Sequence, residues 1–169
     1  MKMDNSKEIF PIVDANGNVT GKITRGEAHN GSRILHPVVH MHVFNKQGDL
    51  YLQKRPEWKD IQPGKWDTAT GGHVDYGEDI PTAIKREVNE ELGIAVDNYK
   101  SLGYYVYDSK KERELVYVNI MTYDGNISPN SEELDGGRFW TKKEIAENIG
   151  KGIFTPNFEE EYIKYIKDL

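Results

Sequence analysis

The 169-residue chain contains no cysteine, which excludes disulfide bonds, thiolate metal sites and cysteine nucleophiles. It also lacks any apolar run approaching the roughly 20 residues that a membrane-spanning helix needs. Its opening, MKMDNSKEIF, has no apolar signal segment. These absences predict a soluble protein of a reducing compartment, which we expect to be the cytoplasm, without a membrane partner.

Positive charge is also scarce, because 22 Lys and Arg residues face 28 Asp and Glu residues, giving a formal net charge of −6. Nucleic-acid surfaces rely on clustered Lys and Arg, so this balance argues against a nucleic-acid partner. A small anionic ligand remains compatible if local basic residues or a divalent cation hold it. The length predicts one domain over residues 1–169, as a monomer or a homodimer.

What the chain does contain is a crowded acidic segment within residues 71–94, GGHVDYGEDIPTAIKREVNEELGI. If residues 81–92 form a helix, Glu87, Glu90 and Glu91 fall within about 100° of arc, because each helical residue turns the chain by roughly 100°. Like charges at this spacing repel one another, so a helix that stacks them needs a cation. Oxygen ligands favour Mg²⁺ or Mn²⁺, and the three glutamates are the predicted metal ligands.

The neighbouring residues predict that this helix enters from a turn. Asp79 suits the N-cap, Pro81 the first turn and Gly93 the position after the last turn. A buried face is expected from apolar residues four positions apart, namely Ile80, Ile84, Val88 and Leu92. Sharp backbone bends are expected at the preceding glycines, namely Gly71, Gly72 and Gly77.

The segment resembles a complete Nudix box, with Gly72, five residues, Glu78, seven residues and then REVNEELGI from Arg86. Every specified position is filled, so the chain is identified as a member of the Nudix hydrolase superfamily. The resemblance implies hydrolysis of a diphosphate linkage in a nucleoside diphosphate derivative or related small diphosphate. It also implies a catalytic metal held by the box glutamates and the Gly71 carbonyl. Arg86 can reach back to Glu78 and would thereby orient Glu87.

Alternating apolar residues and turn signals predict the other elements. Strands are expected at residues 9–13, 19–24, 38–44, 50–55, 66–70, 102–107, 114–123 and 138–140, the first two forming an N-terminal hairpin. Thr141 and Glu144 predict a capping box for a helix through Ile149. A final helix over residues 155–169 is expected to bury four side chains, those of Phe158, Tyr162, Ile163 and Ile166.

These elements mix without strict strand and helix alternation, which predicts an α/β domain with a mixed β-sheet between helices. The Nudix resemblance implies the same α/β/α sandwich.

The N-terminal half also resembles isopentenyl-diphosphate isomerases and their hydrolase-like relatives, through the hairpin, the PGKW segment and the Gly72-His73 pair. The isomerases hold a metal with three histidines and two glutamates, which implies a second site here for Zn²⁺ or Mn²⁺. Its matching residues are His29, His36, His73, Glu112 and Glu114. The isomerases place a catalytic cysteine where this chain has Gly71, and they commonly lose the acidic box. The resemblance therefore implies an isomerase-like scaffold that carries the catalytic residues of a hydrolase.

Two alternatives stay open, an isomerase that uses an acid other than cysteine and a non-catalytic ligand-binding module. The distal phosphate or leaving group is expected to contact basic residues that face the box in this fold, namely Lys54, Arg55 and Lys59. The general base or a further ligand is expected among four glutamates, namely Glu112, Glu114, Glu132 and Glu133. Trp66 or Tyr76 is either a base-stacking residue or a core or rim aromatic. His40 and His42 are expected to be structural.

Overall fold

The computed structural model describes residues 5–59 and 61–169, and residues 1–4, on which the expectation about a signal segment partly rests, lie outside the described residues. The described chain begins with the predicted hairpin, in which β1 (Ile9–Val13) pairs antiparallel with β2 (Val19–Thr24). A one-turn helix, α1 (Arg25–Ala28), follows directly because Thr24 caps it and forms a capping box with Glu27.

A seven-stranded sheet forms the centre of the fold. Its strands are β3 (Leu35–Phe44), β4 (Leu50–Lys54), β5 (Trp66–Thr68), β6 (Thr70–His73), β7 (Lys100–Asp108), β8 (Arg113–Thr122) and β9 (Gly137–Trp140). The order is β5-β4-β3-β8-β7, with β6 paired to β3 and β9 paired to β4. The β3–β8 pair is parallel and the other pairs are antiparallel, so the predicted mixed sheet is confirmed.

Helices cover both faces of this sheet. The long helix α2 (Ile80–Leu92) packs its Ile84, Val88 and Leu92 side chains against odd-numbered residues of β3. Helices α3 (Lys142–Asn148) and α4 (Pro156–Glu161) pack on the opposite face against β4. The predicted α/β/α sandwich is therefore confirmed. No helix in the described ranges is long and apolar enough to cross a bilayer.

The predicted helix ends are also confirmed. The Asp79 carboxylate accepts a 2.8 Å hydrogen bond from the backbone N–H of Thr82, and Gly93 ends α2 with a φ of 69°. A left-handed residue is needed at this position to close the last turn, and glycine adopts it without steric cost. Thr141 and Glu144 form the predicted capping box at the start of α3.

The glycines before α2 differ from the prediction. Gly71 and Gly72 lie within strand β6, paired with His40 and Val39, and only Gly77 has a positive φ, of 86°. Their small size serves close approach of neighbouring side chains, of His40 at Gly71 and of Glu87 at Gly72, rather than bending. The predicted strand over residues 66–70 is two strands that break at Ala69, because β5 pairs with β4 whereas β6 pairs with β3.

The prediction for the last helix is wrong at Ile163, which is 50% exposed. The α-helix ends at Glu161, and a π-helical turn, Tyr162–Ile166, follows it. The buried side of this segment runs through Phe158, Glu161, Tyr162 and Ile166. Ile163, the residue after Tyr162, therefore turns away from that side toward solvent.

Candidate active site

The acidic flank of α2, which consists of Glu87, Glu90 and Glu91, lies beside strand β6. A Cβ atom placed on Gly72 would lie 2.1 to 2.6 Å from the carboxyl atoms of Glu87, a distance that no real side chain could occupy. Gly72 thus leaves room for the Glu87 carboxyl, and a side chain at this position would force that carboxyl to move. The strand and the helix together fix where this carboxylate can sit.

Arg86 organises the flank through several charge-assisted hydrogen bonds. Its Nε and Nη2 atoms donate to the two carboxylate oxygens of Glu78 at 2.7 and 2.8 Å, so the predicted contact between these residues is present. Nη1 donates to Glu87 at 2.7 Å and Nη2 donates to the His73 carbonyl at 3.0 Å. The paired Arg86 guanidinium lowers the pKa of the Glu78 carboxyl. Arg86 therefore connects the loop before α2, strand β6 and helix α2 through its hydrogen bonds.

The three box glutamates differ in their exposure. Glu91 is 5% exposed, whereas the Glu90 side chain is 42% exposed and lies 3.4 Å from Arg86 Nη1. Burial raises the pKa of Glu87 to about 7, and burial with the neighbouring Glu87 raises the pKa of Glu91 well above its usual value. The nearby Glu133 carboxylate raises the pKa of both residues further.

This crowding fits the predicted divalent-cation site. Carboxylates that share a buried volume must either take up protons or share a cation, and oxygen ligands suit Mg²⁺ or Mn²⁺. Gln53 is a residue that the sequence did not identify, and its Nε2 atom lies 3.4 Å from Glu91 Oε2. Its signal in the sequence is weak, because a glutamine in a strand is ordinarily read as a solvent-facing residue, whereas Gln53 is 6% exposed.

The structure does not bring the three predicted basic residues to a single point. Lys54 Nζ lies 3.9 Å from Asp135, and Arg55 Nη1 lies 3.6 Å from Asp67. Lys59 Nζ lies 4.9 Å from the centre of the Trp58 ring. They surround the loop after β4, and their contact with a substrate stays a prediction.

A second polar cluster gathers the predicted histidines. Ligand atoms of His29, His36, His73 and Glu112 all lie within 4.8 Å of one another. His29 Nε2 lies 3.2 Å from His73 Nε2 and 2.9 Å from the Glu112 carboxylate. Glu114 lies slightly farther away, with its Oε2 atom 3.7 Å from His73 Nε2 and 3.9 Å from His36 Nε2.

This cluster fits a transition-metal ion such as Zn²⁺ or Mn²⁺. The buried His36 Nε2 atom has no hydrogen-bond partner among the described residues, although its Nδ1 atom lies 3.0 Å from the Ile34 carbonyl oxygen. A metal ligand commonly has this arrangement, with one ring nitrogen held by a carbonyl and the other free to coordinate. Burial lowers the pKa of His36 and of His73, which favours the neutral imidazole that binds metals.

The acidic flank and the histidine cluster lie on opposite faces of β6. Gly72 faces α2, whereas His73 and Gly71 face the other side, because successive strand residues alternate. A Cβ atom on Gly71 would lie 3.2 Å from the His40 ring. The position that holds a cysteine in the isomerases therefore faces an imidazole here.

His40 and His42 join a buried network with Glu161. His40 Nδ1 lies 2.9 Å from one oxygen of Glu161, His42 Nε2 pairs with the other, and the Tyr105 hydroxyl donates to Glu161 at 2.7 Å. Burial alone would lower the pKa of His40, but the Glu161 carboxylate raises it to about 9. The structural role predicted for these histidines agrees with this network, whereas no pattern in the sequence indicated that Glu161 is buried.

Trp66 and Tyr76 were each predicted to be either a base-stacking residue or a core or rim aromatic, and they differ in their surroundings. Trp66 packs edge-on against Trp140 with ring centres 5.2 Å apart, as a partly buried aromatic at the edge of the core. Tyr76 is 50% exposed, and Lys22 Nζ lies 5.6 Å from its ring centre. Two of the candidate glutamates for the general base follow the box. Glu133 is close enough to raise the pKa of Glu87, and the backbone N–H of Glu132 donates a hydrogen bond to the Asn130 side chain.

Comparisons with known proteins agree with this architecture. A family model described as the NUDIX domain matches residues 34–158. The chain is 32% identical over 155 residues to an uncharacterized Nudix hydrolase of Listeria monocytogenes, covering 89% of this chain and 90% of that protein. It is 28% identical over 172 residues to isopentenyl-diphosphate Delta-isomerase 1 of Photorhabdus laumondii, covering 93% and 94% of the two chains.

A crystal structure of a Deinococcus radiodurans protein superposes with a TM-score of 0.81 at 23% identity, covering 94% of this chain and 99% of that one. The chain thus belongs to the Nudix family and is a Nudix hydrolase. Its relatives include proteins named as isomerases and proteins named as hydrolases, which confirms the resemblance to the isomerase-like subgroup.

Proposed function

We propose that this protein hydrolyses the diphosphate linkage of a nucleoside diphosphate derivative, or of a related small diphosphate, by attack of water on phosphorus. The observation that supports this most strongly is the frame in which Arg86 fixes Glu78 and Glu87 beside the buried Glu91. A non-catalytic binding module would not need three carboxylates crowded against one another. Such crowding costs stability unless a cation is bound.

Glu87, Glu90 and Glu91 would hold Mg²⁺ or Mn²⁺, with the Gly71 carbonyl as a further ligand. A cation held there would supply Lewis-acid polarisation of the phosphoryl oxygens and would offset the negative charge that develops during transfer. Arg86 and Glu78 keep the Glu87 carboxylate in place. Glu133 is the best-placed candidate for the general base, because it lies close enough to raise the pKa of both Glu87 and Glu91.

The histidine cluster is proposed to hold a second metal ion, Zn²⁺ or Mn²⁺, through His29, His36, His73 and the two glutamates Glu112 and Glu114. Burial of Glu114 near Glu112 raises its pKa to about 8. In this proposal the site organises the N-terminal hairpin, since Phe10 of β1 stacks on His73 with ring centres 4.5 Å apart. The ion would therefore have a structural role and not a hydrolytic one.

The rival function is isomerisation of a homoallylic diphosphate, which the relatedness to isomerases and the Glu114 carboxyl, only 14% exposed, favour. That reaction needs a proton donor and a proton acceptor on opposite sides of the substrate. Gly71 can supply neither, and the His40 ring lies against the space that a side chain at Gly71 would enter. Hydrolysis therefore agrees better with the geometry.

A screen of nucleoside diphosphate derivatives with Mg²⁺, scored by released phosphate or nucleoside monophosphate, tests the proposal. We expect at least one substrate to be hydrolysed, and we expect the activity to disappear on chelation with EDTA and return with added Mg²⁺. No hydrolysis of any diphosphate by metal-loaded protein would contradict the proposal.

A further inference from the structure

A groove opens between the loop that follows β4 and the segment that precedes β9. Its volume is about 270 Å³, and its lining residues are Pro56, Glu57, Trp58, Ser131, Leu134 and Asp135. Sites for whole drug-sized ligands occupy about 300 to 1,000 Å³. The groove therefore suits one ring system of a larger ligand.

One wall of this groove is hydrogen-bonded directly to helix α2, which carries the box glutamates. The Asn130 N–H donates to the Glu91 carbonyl at 2.8 Å, and the Asp135 N–H donates to the Lys54 carbonyl at 2.9 Å. Glu133 lies within the same segment, and its carboxylate raises the pKa of Glu87 and of Glu91. A ligand in the groove would thus have its remaining part within reach of the box.

The opposite wall exposes an aromatic side chain that the core does not use. Trp58 is 48% exposed, whereas Trp140 is 5% exposed. The Trp58 loop is closed by a hydrogen bond from the Gly64 N–H to the Arg55 carbonyl at 3.1 Å. An exposed tryptophan on a closed loop is a stacking surface for a flat ring, and Lys59 nearby supplies positive charge for an anionic group.

The rim of the groove carries two carboxylates, Glu57 and Asp135, which only accept hydrogen bonds when ionised. They suit a ring that carries amino groups and disfavour one that presents carbonyl oxygens at the same positions. We propose that the groove binds the base of a nucleoside diphosphate substrate, with the base stacked on Trp58 and its exocyclic amino group donating to a rim carboxylate. This proposal rests on the proposed function and specifies its substrate class.

The first test measures steady-state hydrolysis of ADP with Mg²⁺ by the full-length protein. Trp58→Leu should raise KM at least tenfold and leave kcat within threefold, because stacking holds the base away from the reacting phosphorus. Trp58→Phe should restore KM to within about threefold of the original. The matched control is Ile61→Ala, since Ile61 is also 48% exposed in the same loop and does not line the groove.

ADP and IDP form a second pair, because their bases differ only at ring position 6, an amino group against a carbonyl group, and at the adjoining N1, an acceptor against an N–H donor. We expect kcat/KM to favour ADP at least fivefold and Asp135→Asn to reduce that ratio toward one. An unchanged KM in Trp58→Leu would overturn the proposal while leaving hydrolysis intact. So would a protein that hydrolyses only diphosphates without a base.

Binding is measured separately, by the quenching of tryptophan fluorescence when ADP is added to the Glu91→Gln variant. Quenching that Trp58→Phe removes would support the groove even if no hydrolysis were detected. Quenching of equal size in the Trp58→Phe background would overturn the assignment.

Discussion

The two faces of strand β6 carry different chemistry although they share four residues of backbone. On the α2 face, carboxylates crowd against Gly72, and an arginine orients them. On the other face, imidazoles gather around Glu112 and Glu114, and the His40 ring lies against Gly71. Oxygen ligands select Mg²⁺, whereas imidazole with carboxylate suits Zn²⁺ or Mn²⁺. Alternation along one strand is thus enough to separate a proposed hydrolytic site from a proposed structural site.

The largest effect is expected from Glu91→Gln on the α2 face. Hydrolysis should fall at least a hundredfold, a loss of about 2.7 kcal/mol of transition-state stabilisation, because a buried ligand to the cation is lost. Glu90→Gln should have an effect of the same kind. Thermal unfolding should show that both variants stay folded, since each removes one of several repelling charges.

Glu147→Gln is the matched control, because its side chain is 60% exposed and it pairs only loosely with Lys143. Activity of both box variants within threefold of the unmodified protein would show that the flank is only a solvated acidic surface.

A comparison of two adjacent glycines tests the separation of the faces directly. Gly72→Ala would push its methyl group into the Glu87 carboxyl, so we expect a loss of kcat of roughly tenfold to a hundredfold with a small change in melting temperature. Gly71→Ala meets only the His40 ring, at 3.2 Å, and should keep hydrolysis within about threefold. Equal losses in the two variants would mean that the faces are not independent.

On the histidine face, His36→Ala should remove a metal ion without removing hydrolysis. Purified protein should carry near-stoichiometric Zn²⁺ or Mn²⁺, which elemental analysis would find greatly reduced in the variant. His42→Ala provides a comparison, because His42 is also a buried histidine but contacts Glu161. A metal analysis that finds only loosely held Mg²⁺ in the unmodified protein would refute the second site.

The smallest effect on catalysis is expected from the network around Glu161, which should instead affect stability. The pKa of His40 is raised from 6.5 to about 9 in the folded state. Its contribution to stability is therefore complete below pH 6.5 and is lost as the pH rises through about 9. Glu161→Gln should flatten this part of a plot of unfolding free energy against pH, measured by urea denaturation. An unchanged slope would show that the ion pair does not control it.

Local patterns predicted the parts of this molecule that depend on nearby residues. The cap at Asp79, the glycine at the end of α2 and the contact between Arg86 and Glu78 follow from spacing along the chain. The convergence of the histidines with Glu112 and Glu114 was implied by resemblance alone, since it joins residues far apart in sequence.

The features that the sequence missed depend on packing between distant elements. Gln53 and Glu161 look like surface residues until β4 meets α2 and the C-terminal segment meets β3. The role of Gly72 was misread as a bend because the Glu87 carboxyl that occupies the adjacent space belongs to another element. Ile163 was assigned to the buried side because the line of buried side chains through Glu161 could not be seen from apolar spacing.

The proposed function requires this chain to act on phosphorus and not on carbon. An NMR experiment on one sample of the unmodified protein with Mg²⁺ in D₂O, given both ADP and isopentenyl diphosphate, distinguishes the two reactions. We expect ADP to yield AMP and phosphate, while the isopentenyl chain neither isomerises nor takes up deuterium. Deuterium incorporation with formation of the isomer would refute the proposed function and would make Glu114 or Tyr105 the first proton carrier to examine.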